Sequence, residues 1–160
     1  MSQKNKDLIV QFYSSLQILN HEGMQKAYHP DASFSDPVFG ELSCEQVKAM
    51  WQMLLTSGQD LQVAFSNVQA TDTDGSCRWE AWYTFSKTGR MVHNVVLSKF
   101  KFQDNLIFRQ DDKFSLWRWS RYALGWPGIF LGWSPWIQNE IKEKARKSLD
   151  KFMKIDTRQS

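Results

Sequence analysis

The sequence predicts an α+β fold with helices first and an antiparallel meander second, and three observations carry it. Apolar residues recur at steps of three and four over residues 4–19 and again over 43–58. From Asp60 to about Leu116 the period falls to two, the spacing of a half-buried strand. Beyond Pro135 the helical period returns on a lysine-rich background.

The first helix aligns Leu8, Ile9, Phe12, Leu16 and Leu19 on one face. A shorter helix is expected over residues 24–28, closed by Pro30, which cannot continue a helix and biases His29 towards extended geometry. Ala32 to Asp36 then alternates as a short strand, with Phe34 on one face and Ser33 and Ser35 on the other, until Pro37 and Gly40 break it. Ser43 with Gln46 has capping-box spacing and opens a third helix, whose stripe is Val47, Met50, Trp51, Leu54 and Leu55 and whose end is Gly58. Four strands follow, over 61–65, 79–85, 92–102 and 106–108, with Asp112 at the end of the last. Asp74-Gly75, Thr88-Gly89 and Asp104-Asn105 are the turns between them.

Residues 117–124 read as helical, Gly125-Trp126-Pro127-Gly128 breaks that helix, and Ile129 to Trp133 is a short apolar bridge. A last helix starts at Ser134-Pro135, a cap followed by proline at the first helical position. Its stripe is Ile137, Ile141, Ala145, Leu149 and Phe152, with Lys142, Lys144, Arg146, Lys147, Lys151 and Lys154 on other faces. Such a helix docks on the domain with a solvated basic side; the sharper alternative is contact with a membrane surface or a partner. Residues 1–117 are expected to form the domain, and 118–160 a helical extension packed on or beside it.

Composition narrows the function. The net charge is only +3, the basic residues are spread until the last helix, and no nucleic-acid motif occurs, so no nucleic-acid partner is expected. The N-terminal residues are polar and no apolar run approaches the roughly 20 residues of a membrane helix, so a cytoplasmic location is expected. Cys44 and Cys77 stand apart from other ligand-type residues, which gives neither a disulfide framework nor a zinc site. No glycine-rich phosphate loop and no paired histidine spacing is found, so no cofactor and no metal is expected. Eight Trp and eleven Phe suit either a filled core or an aromatic-lined pocket.

The stretch YHPDASFSDPVFGEL (residues 28–42) is similar to the Y-x-x-D-A-x-F-x-D-P signature of the nuclear transport factor two-like superfamily, which includes ketosteroid isomerase, limonene epoxide hydrolase and the SnoaL-like polyketide cyclases. Gly89-Arg90 and FQDNLIFRQDDKFSLW resemble its closing hairpin, so the resemblance covers about residues 5–117. It implies a cone-shaped curved antiparallel sheet wrapped around the N-terminal helices, here with an extra C-terminal helical extension. It also implies a small-molecule pocket on the concave face.

Three comparisons assign candidate residues. Asp36 matches in place the isomerase's catalytic aspartate, although an aspartate before proline also ties down a turn. The isomerase's oxyanion-hole tyrosine falls near Phe12, with Tyr13 one position off, and its protonated acid near Ser98; a phenyl ring and a serine do not reproduce that pair of acidic donors. Arg78-x-Glu80 with Asp112 resembles the hydrolase's Asp-Arg-Asp arrangement, and residues two apart on a strand share a face. The same pair reads equally as a surface ion pair. Cyclase-like members use a single acid or histidine, for which His93 is the mid-sheet candidate. Asn94 points to the opposite face, and a one-residue slip would exchange the two.

The function expected is a small-molecule-pocket protein, a cofactor-independent isomerase, cyclase or hydrolase using carboxylate acid/base chemistry. The alternatives are a binding module that holds an apolar or aromatic ligand without reacting it, or an interaction protein acting through its last helix. Candidate catalytic residues are Asp36, Asp112, Arg78, Glu80 and His93; candidate ligand contacts are Tyr13, Tyr28, Trp51, Trp82, Asn94 and Phe114. Members of the superfamily it resembles often pair through the outer sheet face, and Trp79, Tyr83 and Phe85 share one strand face, so a homodimer is expected, unless the long C-terminal helix covers that face and leaves a monomer.

Overall fold

A computed structural model describes residues 1–159. In chain order its elements are α1 (Gln3–Gln17), α2 (His21–Gln25), β1 (Tyr28–Asp36), β2 (Gly40–Ser43), α3 (Cys44–Ser57), β3 (Gln62–Ala70), β4 (Asp74–Phe85), β5 (Arg90–Gln103), β6 (Leu106–Lys113), α4 (Leu116–Leu124), α5 (Trp126–Leu131) and α6 (Pro135–Gln159). The strands form one six-stranded curved sheet in the order β2-β1-β6-β5-β4-β3. The chain is thus α+β, as expected, but the sheet is mixed: β3 to β6 make the antiparallel meander, and β1 joins β6 in parallel. Helix α3 separates the β1–β2 hairpin from the meander, and β1 joins the meander at its last strand, β6.

Local chemistry sets the boundaries. Ser43 and Gln46 form the reciprocal capping box, and Gly58 closes α3. Asp104 and Asn105 both take positive φ, 53° and 60°, which makes the tight β5–β6 turn of the hairpin kind. Four expectations need correction. The second helix starts at His21, capped by the Asn20 side chain, and ends at Gln25. Pro30 lies inside β1, in the stretch between Tyr28 and Ser33 where pairing to β6 is interrupted, so its missing N–H removes no ladder bond. Asp74-Gly75 opens β4, and the turn before it is held by Thr71, whose hydroxyl accepts from the Asp74 amide. Residues 126–131 are helical, with Pro127 in the first turn.

The inner face of the sheet packs on α1 and α3. Ile9, Phe12, Tyr13 and Leu16 from α1 meet Val47, Met50 and Trp51 from α3 and Trp79, Val96 and Phe100 from the sheet, in one buried cluster. On the outer face Arg109 clamps the parallel edge: its guanidinium donates to Ser33 Oγ, both Glu41 carboxylate oxygens and Asp111. These bonds hold Glu41 and Asp111 below the usual carboxylate range.

Past the end of β6 the chain turns into α4, which lies along the first half of β5. Thr88 Oγ1 donates to the Ala123 carbonyl, Arg90 Nε to that of Tyr122, and Trp119 Nε1 to the Tyr83 hydroxyl. α6 docks on α3 with Leu149 fully buried and Ala145 and Met153 packed against the core, the first two from the expected stripe, while Arg146 Nη1 caps the Phe39 and Glu41 carbonyls at 3.0 and 2.9 Å. The face shared by Trp79, Tyr83 and Phe85 is therefore the inner one. Trp79 is buried against Tyr13, and Trp119 covers Tyr83 and Phe85, so these side chains are not an outer pairing surface. No described helix is long and apolar enough to cross a membrane.

Candidate functional site

Within the cone, side chains from six elements converge on one buried carboxyl. Asp112 on β6 sits opposite Ser98 on β5, and residues directly paired across antiparallel strands share a face. The Ser98 hydroxyl donates to Asp112 Oδ1 at 2.5 Å, and Gln110, two residues earlier on β6, donates to the same oxygen at 3.0 Å. Ser98 in turn accepts from the Tyr13 hydroxyl of α1 at 2.7 Å and from Trp79 Nε1 of β4 at 2.9 Å. On the other side Tyr28 donates to Gln110 Oε1 at 2.6 Å and accepts from Trp51 Nε1 at 2.9 Å. Two donor relays thus end on Oδ1, whereas Oδ2 accepts no hydrogen bond among the described residues.

The surroundings are apolar rings. Phe12 meets Tyr13, Tyr28, Trp51 and Phe100 edge-on, and Trp51 lies 6.4 Å from Trp79. Asp112 is 5% exposed, and burial raises its pKa to about 7, against the lowering effect of the Ser98 and Gln110 hydrogen bonds; the Asp36 charge adds to the rise. A carboxyl there exchanges its proton at neutral pH. Burial also pushes the Tyr13 and Tyr28 hydroxyls well up, so both remain protonated donors. Cys77, buried on the same strand face, is pushed up to about 12 and stays a thiol.

Asp36 ends β1, and its Oδ1 accepts from the Val38 and Phe39 amides at 2.8 and 2.6 Å, which anchors the turn into β2. Burial lifts its pKa to about 6, and those amide bonds oppose the rise. Asp36 thus combines a turn-forming role with a raised pKa, and its charge interacts with that of Asp112.

The other candidates divide between the two faces. Ala81 pairs with Asn94 and Trp82 with His93, so Asn94 shares the inner face and His93 does not. Arg78, Glu80, Trp82 and His93 occupy the outer face, opposite Asp112. There Glu80 joins Arg78 and accepts from or shares a proton with His93 Nε2 at 2.7 Å, and both partners hold it below the usual carboxylate range, His93 foremost. Trp82 stacks on the His93 ring at 4.8 Å. The arrangement expected from Arg78, Glu80 and Asp112 together is not assembled, because positions 78 and 80 and position 112 point to opposite faces. Phe114 is half-buried against the core just past β6.

Tyr13, rather than Phe12, supplies the tyrosine hydroxyl, since the last turns of α1 aim it at Ser98. Gln110 was not among the expected site residues, and Trp79 was read only as part of a strand face with Tyr83 and Phe85. The alternation Gln110–Asp112 was the signal for Gln110, obscured by a β-bulge near Phe108 that changes which residues of β6 face inward.

Two open clefts lie apart from this network. One, of about 620 Å³, is bordered by Met1, Ala70, Asp74 and Lys101 at the far end of the sheet. The other, of about 370 Å³, lies between β5, α4 and α5. Neither is lined by Asp112, and their size does not make them the chemical centre. Among the described residues no group of three or more His, Cys, Asp or Glu side chains is placed to hold a metal ion.

A mixed curved sheet closed over α1 and α3, with a buried acid fed by tyrosine and serine hydroxyls, defines a nuclear transport factor two-like domain. The chain belongs to the SnoaL-like domain family, whose model matches residues 9–110. No curated protein matches it in sequence. Similar solved structures include an LEH-like epoxide hydrolase of M. tuberculosis, at 14% identity and TM-score 0.63, covering 81% of this chain and 94% of that one. A candidate SnoaL-like polyketide cyclase from Jannaschia sp. CCS1 is similar at 12% identity and TM-score 0.68, covering 78% and 96%. TerC, crystallised with polyporic acid, is similar at 16% identity and TM-score 0.61, covering 71% and 92%. At these identities the likeness is one of fold.

Proposed function

We propose that this protein is a cofactor-independent enzyme that performs proton-transfer chemistry on a small, largely apolar molecule, with Asp112 as the acid/base. The observation that carries this is the inward-facing carboxyl of Asp112, raised to about 7, whose Oδ1 is fixed by Ser98 and Gln110 while Oδ2 accepts no hydrogen bond among the described residues. Fixing one oxygen orients the other, and matching its pKa to neutral pH lets the same group take a proton and return it. In the ionised form Oδ2 removes a proton from an acidic C–H or a water; in the protonated form it donates to an oxygen on which negative charge develops. The Tyr13–Ser98 and Tyr28–Gln110 relays stiffen Oδ1 and keep it an acceptor. Asp36 modulates this acid through its charge while it holds the turn.

The isomerase, cyclase and hydrolase chemistries all need this step, and the ring-lined interior suits a planar or alicyclic substrate. The names of the similar structures, an epoxide hydrolase, a polyketide cyclase and a protein binding polyporic acid, fall in the same range of ligands. The same rings would also serve a binding module without turnover, which is the second reading. A thermal-shift panel of epoxides, lactones, hydroxylated aromatic polyketides and steroids, followed by turnover assays on the hits, tests the proposal. The expected result is a hit that is converted by the parent and bound but not converted by Asp112→Asn. Equal turnover by the variant would refute the assignment, and binding without turnover in the parent would establish the second reading.

A further inference from the structure

The segment joining α4 to α6 has an inverted helix. Gly128 and Gly132, four residues apart, face α4, where a Cβ on Gly128 would lie 2.0 Å from the Ser120 carbonyl oxygen and one on Gly132 2.0 Å from Ser120 Oγ. The small residues thus form the buried side, and the backbones touch. The large apolar residues are turned outward: Trp126 is 70% exposed, Phe130 65%, Trp133 67% and Trp136 70%. Burying such side chains is worth far more than burying glycine, so a helix in water alone would be turned the other way. Trp126 and Phe130 approach to 6.4 Å, and Trp133 Nε1 donates to the Phe130 carbonyl, so three of the four rings form one ordered patch.

Charge says what this patch meets. Residues 125–136 contain no charged side chain. The extension that carries them, 118–160, holds nine Lys and Arg against four Asp and Glu, a net +5, whereas residues 1–117 hold eleven against thirteen, a net −2. Beside the patch Ile129 forms one wall of the 370 Å³ cleft, together with Arg90, Arg118 and Arg121. Arg90 keeps its Nε on the Tyr122 carbonyl, Arg121 lies over the Trp117 ring, and both line the cleft with Arg118.

We propose that the α4–α5 corner is a docking surface for an anionic lipid bilayer, with Trp126, Phe130 and Trp133 seated at the headgroup level and Arg90, Arg118 and Arg121 receiving lipid phosphate. Tryptophan and phenylalanine beside arginine are the side chains that settle at such an interface, amphipathic rings in the boundary and cations at the phosphates. A symmetric contact with a second copy of this chain would set one +5 extension against another, which disfavours that occupant. This surface lies outside the Asp112 network, and the proposal stands independently of the chemistry there.

Vesicle co-sedimentation of the full chain tests it. Vesicles of phosphatidylcholine with roughly 30% phosphatidylglycerol are compared with neutral phosphatidylcholine, for the parent, Phe130→Ser/Trp133→Ser and Arg118→Gln/Arg121→Gln, with circular dichroism confirming the fold of each. The expected result is at least about tenfold stronger partitioning of the parent onto the anionic vesicles, reduced about tenfold by either pair of substitutions. No partitioning by the parent, or partitioning that both pairs leave unchanged, overturns the proposal. Light scattering that finds a parent dimer dissociated by Phe130→Ser/Trp133→Ser, with no vesicle binding, overturns it in favour of a second copy.

Discussion

Replacing Asp112 by asparagine changes how stability depends on pH, and the size of the change follows from the site. In the folded protein burial raises the carboxyl from its ordinary 3.8 to about 7. Because the folded pKa lies above the unfolded one, the folded state keeps the proton longer. Its contribution is therefore full below about pH 4, is lost as pH rises, and is gone above about pH 7. The difference corresponds to roughly 4 kcal/mol as an upper bound, spread over that interval at no more than about 1.4 kcal/mol per pH unit. Asparagine has nearly the same shape, keeps an oxygen to accept from Ser98 and Gln110, and does not titrate. Urea unfolding of parent and variant from about pH 4.5 to 8 gives the stability gap directly. The expected gap favours the parent at low pH, shrinks steadily towards pH 7, and vanishes or reverses above it. A gap that stays constant across the range would mean that Asp112 does not titrate there, and the reasoning from burial would be wrong.

Two further substitutions probe the rest of the architecture. Glu80→Gln releases Arg78 and His93 on the outer face, so any turnover found for the parent is expected to persist within about twofold, a change too small to mark a lost transition-state contact; loss of turnover would place the chemistry on the outer face. Gly128→Ala puts a methyl group against the Ser120 backbone, which cannot yield, and is expected to cost about 1–3 kcal/mol and to make residues 125–134 more open to limited proteolysis. Unchanged stability would mean that α5 does not lie against α4.

Much of the fold was legible because local signals agreed. The stripe of α1, the Ser43–Gln46 capping box and the Asp104-Asn105 turn are each specified by residues close in sequence. The parallel β1–β6 pairing was not, since it joins residues more than seventy positions apart and depends on Arg109 reaching Ser33 and Glu41. Helix α5 was missed because Gly125-Trp126-Pro127-Gly128 reads as a breaker, whereas Pro127 fits the first turn and Gly128, with Gly132, makes the close approach to α4.

The site was legible in kind but not in membership. Tyr13, Tyr28, Trp51 and Asp112 converge in one buried network, and Asn94 faces inward. Arg78, Glu80 and His93 were spaced correctly for a shared face, but nothing in the spacing says which face the helices cover. Asp36 showed both of its readings at once, since the proline after it signals the turn and its burial raises its pKa.

The most direct measurement is the carboxyl carbon-13 NMR titration of Asp112 in the free protein, assigned by its disappearance in Asp112→Asn. A midpoint close to 7 is the expected result and would identify this carboxyl as an acid/base poised at neutral pH. A midpoint near 4, the ordinary aspartate value, would contradict the role given to it.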